Sequence, residues 1–412
     1  MAGKSTSVVD GCGIDPGAWD FRAPPVIRFG AGRVSELPEV VAPLGFRVWL
    51  VGGRRSLVSG PAGRRIVDGL ESAGFAPEVV AVTAGEPTVD DLAAALATLP
   101  GGDRAGVVVV AVGGGSAIDL AKALAALATN LPEGLDAPRY DPLIVDRLEG
   151  VGRGIPIDVA PLPMIAVPTT AGTGAEATRN AVISCPRRRF KKSLRSPLMV
   201  PRAAIVDPDL TAGCDRATVA AAGLDCITQL IESFICRIRR PLPRSLVLDA
   251  LPRAVRALPR VLDDPSDAAA RGAMSHAALV SGVALSNSGL GLAHGVAAAL
   301  GVECGTPHGL ACGLLLPVAL AVNADAAAAD YALLERAIDS AAATDDTSAA
   351  AAFVARIDAI CNVAGLPRRF SEVGLRRDRI GWLAENSGGA SLRGNPVELD
   401  PQTLLEILAP IW

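Results

Sequence analysis

Along the first half of the chain, short apolar runs alternate with segments of helical period. Arg47–Val51, Glu78–Val82 and Gly106–Val112 read as strands, the last containing the unbroken run VVVVAV. Ala62–Ala73, Asp90–Leu99 and Ser116–Thr129 follow them as helices. Strands that are continuously apolar, not alternating, belong to a parallel sheet covered on both faces. Met164–Val167 and Ala203–Val206 supply later strands, and Asn130–Pro163, rich in Pro, Gly and Asp, is expected to be a loop. After Asp207-Pro208 the strand-like runs stop. Val219–Cys236, Ser245–Leu258, Ser266–Leu285, Ala293–Leu300, Ala326–Ala341, Ala349–Ala364 and Pro401–Leu408 are predicted helices. The pattern predicts an α/β domain over 1–207, with 1–22 as an N-terminal extension, and an all-α domain over 208–412.

Two uncharged stretches, Ala277–Val302 and Gly309–Val322, test the membrane alternative. The first carries Ser281, Asn287, Ser288 and His294, and the second is short and broken by Pro317. Helices buried on all sides explain both better than bilayer spans. The formal net charge of −4 over 412 residues gives no clustered cationic excess, which argues against a nucleic-acid or anionic-membrane partner. None of the eight cysteines forms a C-x-x-C pair, and Met1–Asp20 has no apolar core of a signal peptide. Reduced thiols and a cytoplasmic location are expected.

Candidate chemistry begins where the strand ending at Val112 runs into Gly113-Gly114-Gly115-Ser116 and a helix. Glycines let backbone N–H groups approach an anion, and the helix N-terminus adds unpaired donors and the positive end of its dipole. The turn lies at the carboxyl end of a parallel strand, where such sheets bind nucleotides. A Cβ at Gly115 is expected to intrude on a pyrophosphate there. A second loop after a strand, Pro168–Glu176, packs three threonines and two glycines together.

The blocks GGGSAIDLAKALA, PTTAGTGAEAT, AAIVDPDLT, GLDCITQLIES, SNSGLGLAHG and TPHG, in this order, resemble the signature segments of the iron-type (group III) alcohol dehydrogenases. That superfamily includes maleylacetate reductases and glycerol dehydrogenases and, more distantly, dehydroquinate synthases. The resemblance runs from about Pro24 to the C-terminus, with Asn395-Pro396 matching a late block. It implies a Rossmann-like parallel sheet followed by an all-α domain, in a dehydroquinate-synthase-like architecture. It also implies a homodimer that transfers hydride between NAD(P)H and a small carbonyl compound in a cleft between the domains.

For the cofactor, the resemblance places Gly114, Gly115 and Ser116 around the pyrophosphate. It places Asp119 near ribose or the nicotinamide amide, and Lys122 on the same helix. Thr169, Thr170 and Thr173 line the phosphate and nicotinamide side, and Lys192 stands near the ribose. Family members that favour NAD often carry an Asp where this chain has Gly53, followed here by Arg54 and Arg55. With no carboxylate to repel a 2′-phosphate and two guanidinium groups to bind one, NADP(H) is expected to be preferred over NAD(H).

For the metal, the resemblance implies an Asp and two or three His. Asp225, His294 and His308 fall at such positions, but Gln229 stands where the pattern D-x-x-x-H expects a histidine. The spacing i,i+4 keeps Gln229 on the face of Asp225, so these four are the candidate metal ligands. Fe²⁺ and Zn²⁺ both suit an oxygen and two imidazole donors. A family histidine assigned to proton relay is Ala298 here, and His276 lies at no ligand position. The departures at 229 and 298 leave two other readings open: a dehydroquinate-synthase-like cyclase or lyase, and a non-catalytic nucleotide-binding relative.

Overall fold

A computed structural model describes residues 18–412; Cys12 and most of the extension 1–22 lie outside them. The strands are β1 (Val26–Phe29), β2 (Arg47–Gly53), β3 (Pro77–Thr83), β4 (Val107–Gly113), β5 (Met164–Pro168), β6 (Asn180–Cys185), β7 (Phe190–Arg195) and β8 (Ala203–Val206). Helices of the first half are α1 (Leu37–Val41), α2 (Pro61–Ser72), α3 (Val89–Ala97), α4 (Gly115–Asn130) and α5 (Ala137–Val145). Six strands form one sheet in the order β1-β8-β5-β4-β2-β3, and every pairing in it is parallel. The most apolar strand, β4, sits inside the sheet and is buried along its whole length, as its unbroken valine run requires. Parallel strands are joined by crossovers, so β2, β4 and β5 all end at the same edge, at Gly53, Gly113 and Pro168.

The structure adds elements to the expected pattern. The four-residue β1 lies at the sheet edge with all its side chains exposed, too short and too polar at Arg28 to show a core pattern. β6 and β7 form a separate antiparallel ribbon, in which Ala181, Ile183 and Cys185 alternate inward. Within the expected loop 130–163 the chain forms α5, capped by Asp136 and tolerating Pro142 inside it. Proline composition hides a helix of this kind, because the ring is accepted near an N-terminus and costs more further in.

The second half is helical: α6 (Arg216–Ile235), α7 (Pro241–Asp263), α8 (Ala268–Asn287), α9 (Leu292–Cys304), α10 (His308–Val322), α11 (Ala328–Ile338), α12 (Asp346–Ala364), α13 (Ile380–Asn386), α14 (Gly389–Arg393) and α15 (Pro401–Leu408). The uncharged stretch from Ala277 is not one span: α8 and α9 meet at a bend of 99°. By length and composition α6 and α12 would reach across a bilayer, but 78% of the apolar window of α6 is buried inside the protein, and it carries Asp225 and Glu232. α6 is the centre of the helical half, enclosed by α7, α8 and α10.

Candidate active site

The glycine turn forms between β4 and α4. Gly114 precedes the first helical residue of α4, so the N–H groups of Gly115 and Ser116 have no partner within the helix. The loop after β5 leans over this turn. A Cβ on Gly114 would stand 3.1 Å from Thr170 Oγ1, and one on Gly115 would stand 2.7 Å from both Oγ1 and Cγ2 of Thr173. The glycine at 115 is therefore also required by the threonine packed against it. Thr169 is buried, and its carbonyl accepts from the Cys214 thiol. The same loop reaches the helical half: a Cβ on Gly172 would meet Ala222 of α6 at 2.7 Å, and one on Gly174 would meet the Gly282 backbone of α8 at 2.4 Å. One short loop thus couples the nucleotide turn to the helix that bears Asp225.

Gly53 closes β2, and a wide helical turn, Arg54–Ser59, follows. Arg55 is exposed and pairs loosely with Asp215 at 3.3 Å, whereas Arg54 is exposed with no ion pair among the described residues. Asp119 and Lys122 are a buried pair, 3.1 Å apart. Asp119 accepts the Val182 N–H, and Lys122 donates to the Ala175 carbonyl and the Thr178 hydroxyl. Burial pushes Asp119 up and Lys122 down from their usual values. Both side chains hold the ribbon β6–β7 and the threonine loop onto α4, so their geometry is that of a clamp.

The structure does not bring Lys192 to the cleft; Lys191 stands there instead. Adjacent strand residues face opposite sides of the ribbon. Lys192 opposes the buried Ile183, while the Lys191 ammonium lies 2.7 Å from both carboxylate oxygens of Glu86. Glu86 in turn accepts the backbone N–H of His308 at 3.3 Å.

On the helical side, Asp225, His294, His308 and Cys312 offer ligand atoms that all lie within 4.8 Å of one another. Asp225 lies on α6, His294 in the first turn of α9, and His308 begins α10. His294 Nε2 is 3.3 Å and His308 Nε2 3.9 Å from Asp225 Oδ1. Among the described residues, neither Asp225 oxygen nor His294 Nε2 has a hydrogen-bond partner, although all three atoms are buried. Buried polar atoms are nearly always partnered, and these converge on one point. A divalent cation fits that point.

His294 is oriented for it. Its Nδ1–H donates to Glu232 at 2.7 Å, which aims Nε2 at Asp225. Glu232 also accepts the Ala293 N–H at 2.7 Å, so it is held from two sides. Sequence reasoning missed Glu232, although its seven-residue spacing from Asp225 on one helix was the available signal. Burial pushes His308 down to about 4 against the pull of Asp225, which keeps this imidazole neutral and able to ligate.

Gln229 has a hydrogen-bond partner on α8. It is buried on the same helix face, and its carboxamide oxygen accepts the Ser281 hydroxyl at 2.7 Å. Ala298 lies one turn beyond His294 and offers no proton. His276 lies apart, paired with Asp249 at 3.0 Å.

The sequence pattern described as iron-containing alcohol dehydrogenase matches residues 24–208, and that of the C-terminal part of the Fe-containing alcohol dehydrogenase family matches 219–412. The chain belongs to the iron-containing alcohol dehydrogenase family. Among its family relatives, lactaldehyde reductase of Escherichia coli (strain K12) is 31% identical over 391 residues, covering 93% of this chain and 97% of that one. The crystal structure of a 1,3-propanediol oxidoreductase superposes with TM-score 0.84 at 27% identity, covering 96% of this chain and 100% of that one. A sulfoacetaldehyde reductase from Bifidobacterium kashiwanohense, solved in complex with NAD+, gives TM-score 0.81 at 27% identity, covering 96% and 99%. Within the family pattern as the sequence shows it, positions 229 and 298 remain this chain's departures.

Proposed function

We infer that this protein is a nicotinamide-dependent alcohol dehydrogenase that interconverts a small aldehyde or ketone and its alcohol by hydride transfer. The observation that carries this reading is the cluster of unpartnered ligand atoms on Asp225 and His294, coupled through the loop Thr169–Gly174 to the glycine turn of α4. Relatives that span nearly the same length act, by their names, on lactaldehyde, propanediol and sulfoacetaldehyde, all small molecules.

Asp225, His294 and His308 would hold the cation, which when bound supplies Lewis-acid polarisation of a substrate oxygen. The backbone of Gly114–Ser116 binds the pyrophosphate, and Thr170 and Thr173 line the path from it towards α6. Glu232 fixes the ring of His294, so the site is organised before substrate enters. With alanine at 298, the ionisable groups beside His308 outside the ligand cluster are Glu86, which accepts its backbone N–H, and Lys191, paired with Glu86.

NADP(H) is the preferred cofactor in this reading. Gly53 places no carboxylate at the end of β2, and Arg54 immediately after it is exposed, with no ion pair among the described residues. A tenfold preference corresponds to about 1.4 kcal/mol. The test is steady-state turnover of short aldehydes and ketoacids with each reduced cofactor, before and after chelation and re-addition of Zn²⁺ or Fe²⁺. Metal-dependent turnover with NADPH favoured is expected, and Arg54→Ala should erode NADPH affinity more than NADH affinity. Tight cofactor binding with no turnover of any carbonyl would sink the enzyme reading, and better use of NADH would sink the cofactor preference.

The reading includes pairing of two copies. The edge strand β1 exposes Val26, Ile27 and Phe29 at 38–40% beside unpaired backbone groups, which is a template for association. Light scattering that returns the mass of one chain would remove this part.

A further inference from the structure

The site holds a side chain that neither the family pattern in the sequence nor the family assignment supplies. Cys312 follows His308 by four residues, so both project from one face of α10. Its Sγ lies 3.7 Å from His308 Nε2 and within 4.8 Å of the ligand atoms of Asp225 and His294. Tetrahedral zinc takes about 2.0–2.2 Å to nitrogen and oxygen and about 2.3 Å to sulfur, which sets neighbouring ligand atoms about 3.4–3.6 Å apart. The observed edges of 3.3, 3.7 and 3.9 Å bracket that value with no ion to draw them together. Meanwhile the carboxamide oxygen of Gln229, at the position whose histidine is missing, is engaged by the Ser281 hydroxyl.

We propose that the metal is held by Asp225, His294, His308 and the thiolate of Cys312, the cysteine having taken over from α10 the place that position 229 vacated on α6. This rests on the metal reading above. A thiolate changes the character of the site. One anionic oxygen, two imidazoles and one anionic sulfur form a softer set than oxygen and nitrogen alone, and it selects Zn²⁺ over Fe²⁺ more strongly. On binding, the thiol releases its proton to solvent and forms the sulfur–metal bond.

The experiment loads the full-length protein with Co²⁺, whose visible d–d bands report tetrahedral coordination. A sulfur-to-cobalt charge-transfer band in the near ultraviolet reports a thiolate. The expected result is one Co²⁺ per chain with both signatures. Cys312→Ser should then lose the charge-transfer band, keep d–d bands, and bind Zn²⁺ at least tenfold more weakly. A cobalt form with d–d bands and no charge-transfer band overturns the cysteine ligand while leaving the metal reading intact. Failure to bind Co²⁺ or Zn²⁺ at all overturns both. X-ray absorption of the unmutated zinc form gives the same decision without a variant: one sulfur scatterer at about 2.3 Å supports the proposal, and its absence overturns it.

Discussion

Asp225→Asn is expected to abolish stoichiometric metal binding and to lower kcat/KM by about a thousandfold. The carboxylate is almost fully buried at the centre of α6, and neither oxygen has a hydrogen-bond partner among the described residues. A buried anion in that state is compensated by what shares its site: two imidazoles here and, in the proposed function, a divalent cation. An amide of the same shape removes the negative charge that attracts the cation and offers it only a weak neutral oxygen. Lewis-acid assistance is worth several kcal/mol, and about 4 kcal/mol corresponds to about a thousandfold in rate. Metal content, circular dichroism and kcat/KM measured on the same preparation check this. A folded Asp225→Asn protein that keeps its metal and most of its activity would contradict the site.

Gly115→Val should raise the dissociation constant of the nicotinamide cofactor by about a hundredfold while leaving metal content unchanged. The added Cβ would stand 2.7 Å from Thr173 Oγ1 and Cγ2, closer than atoms tolerate, so the turn and the threonine loop must separate. That separation misaligns the free N–H groups at the start of α4. Two hydrogen bonds to a charged pyrophosphate are worth about 1.5–3 kcal/mol each, and losing about 3 kcal/mol is about a hundredfold. The metal ligands lie on α6, α9 and α10, not on the turn or its loop, so loss of metal together with loss of helical signal would point to general misfolding. Fluorescence titration with NADPH and NADH decides, and wild-type affinity in the folded variant would refute the placement of the pyrophosphate.

Much of this protein was legible in the amino-acid sequence where local geometry alone sets the outcome. An unbroken run of β-branched valines, bounded by glycines, reads as a strand buried on both faces, and β4 is one. Glycines between a strand and a helix predict a tight turn with free N–H groups, and the turn lies at the sheet edge where β2, β4 and β5 all end. Asp225, His294 and His308 could be chosen because their residue types and blocks resemble a known pattern, and the structure does bring them together.

The remainder depended on contacts between segments distant in sequence. Lys191 and Lys192 are equivalent until the register of the β6–β7 ribbon decides which faces Glu86. Helical spacing kept Gln229 on the face of Asp225, but the packing of α8 against α6 supplied Ser281 and turned the amide towards it. Cys312 shows the same limit from the other side. Its four-residue spacing from His308 is plain in the sequence, yet the spacing says only that the two share a face of α10. Which face of α10 meets α6 is settled by the packing of helices around the buried core, because burial is a property of the whole enclosure and not of any one helix. The sequence alone therefore determined which chemical groups were available, and the tertiary structure alone decided which of them face one another.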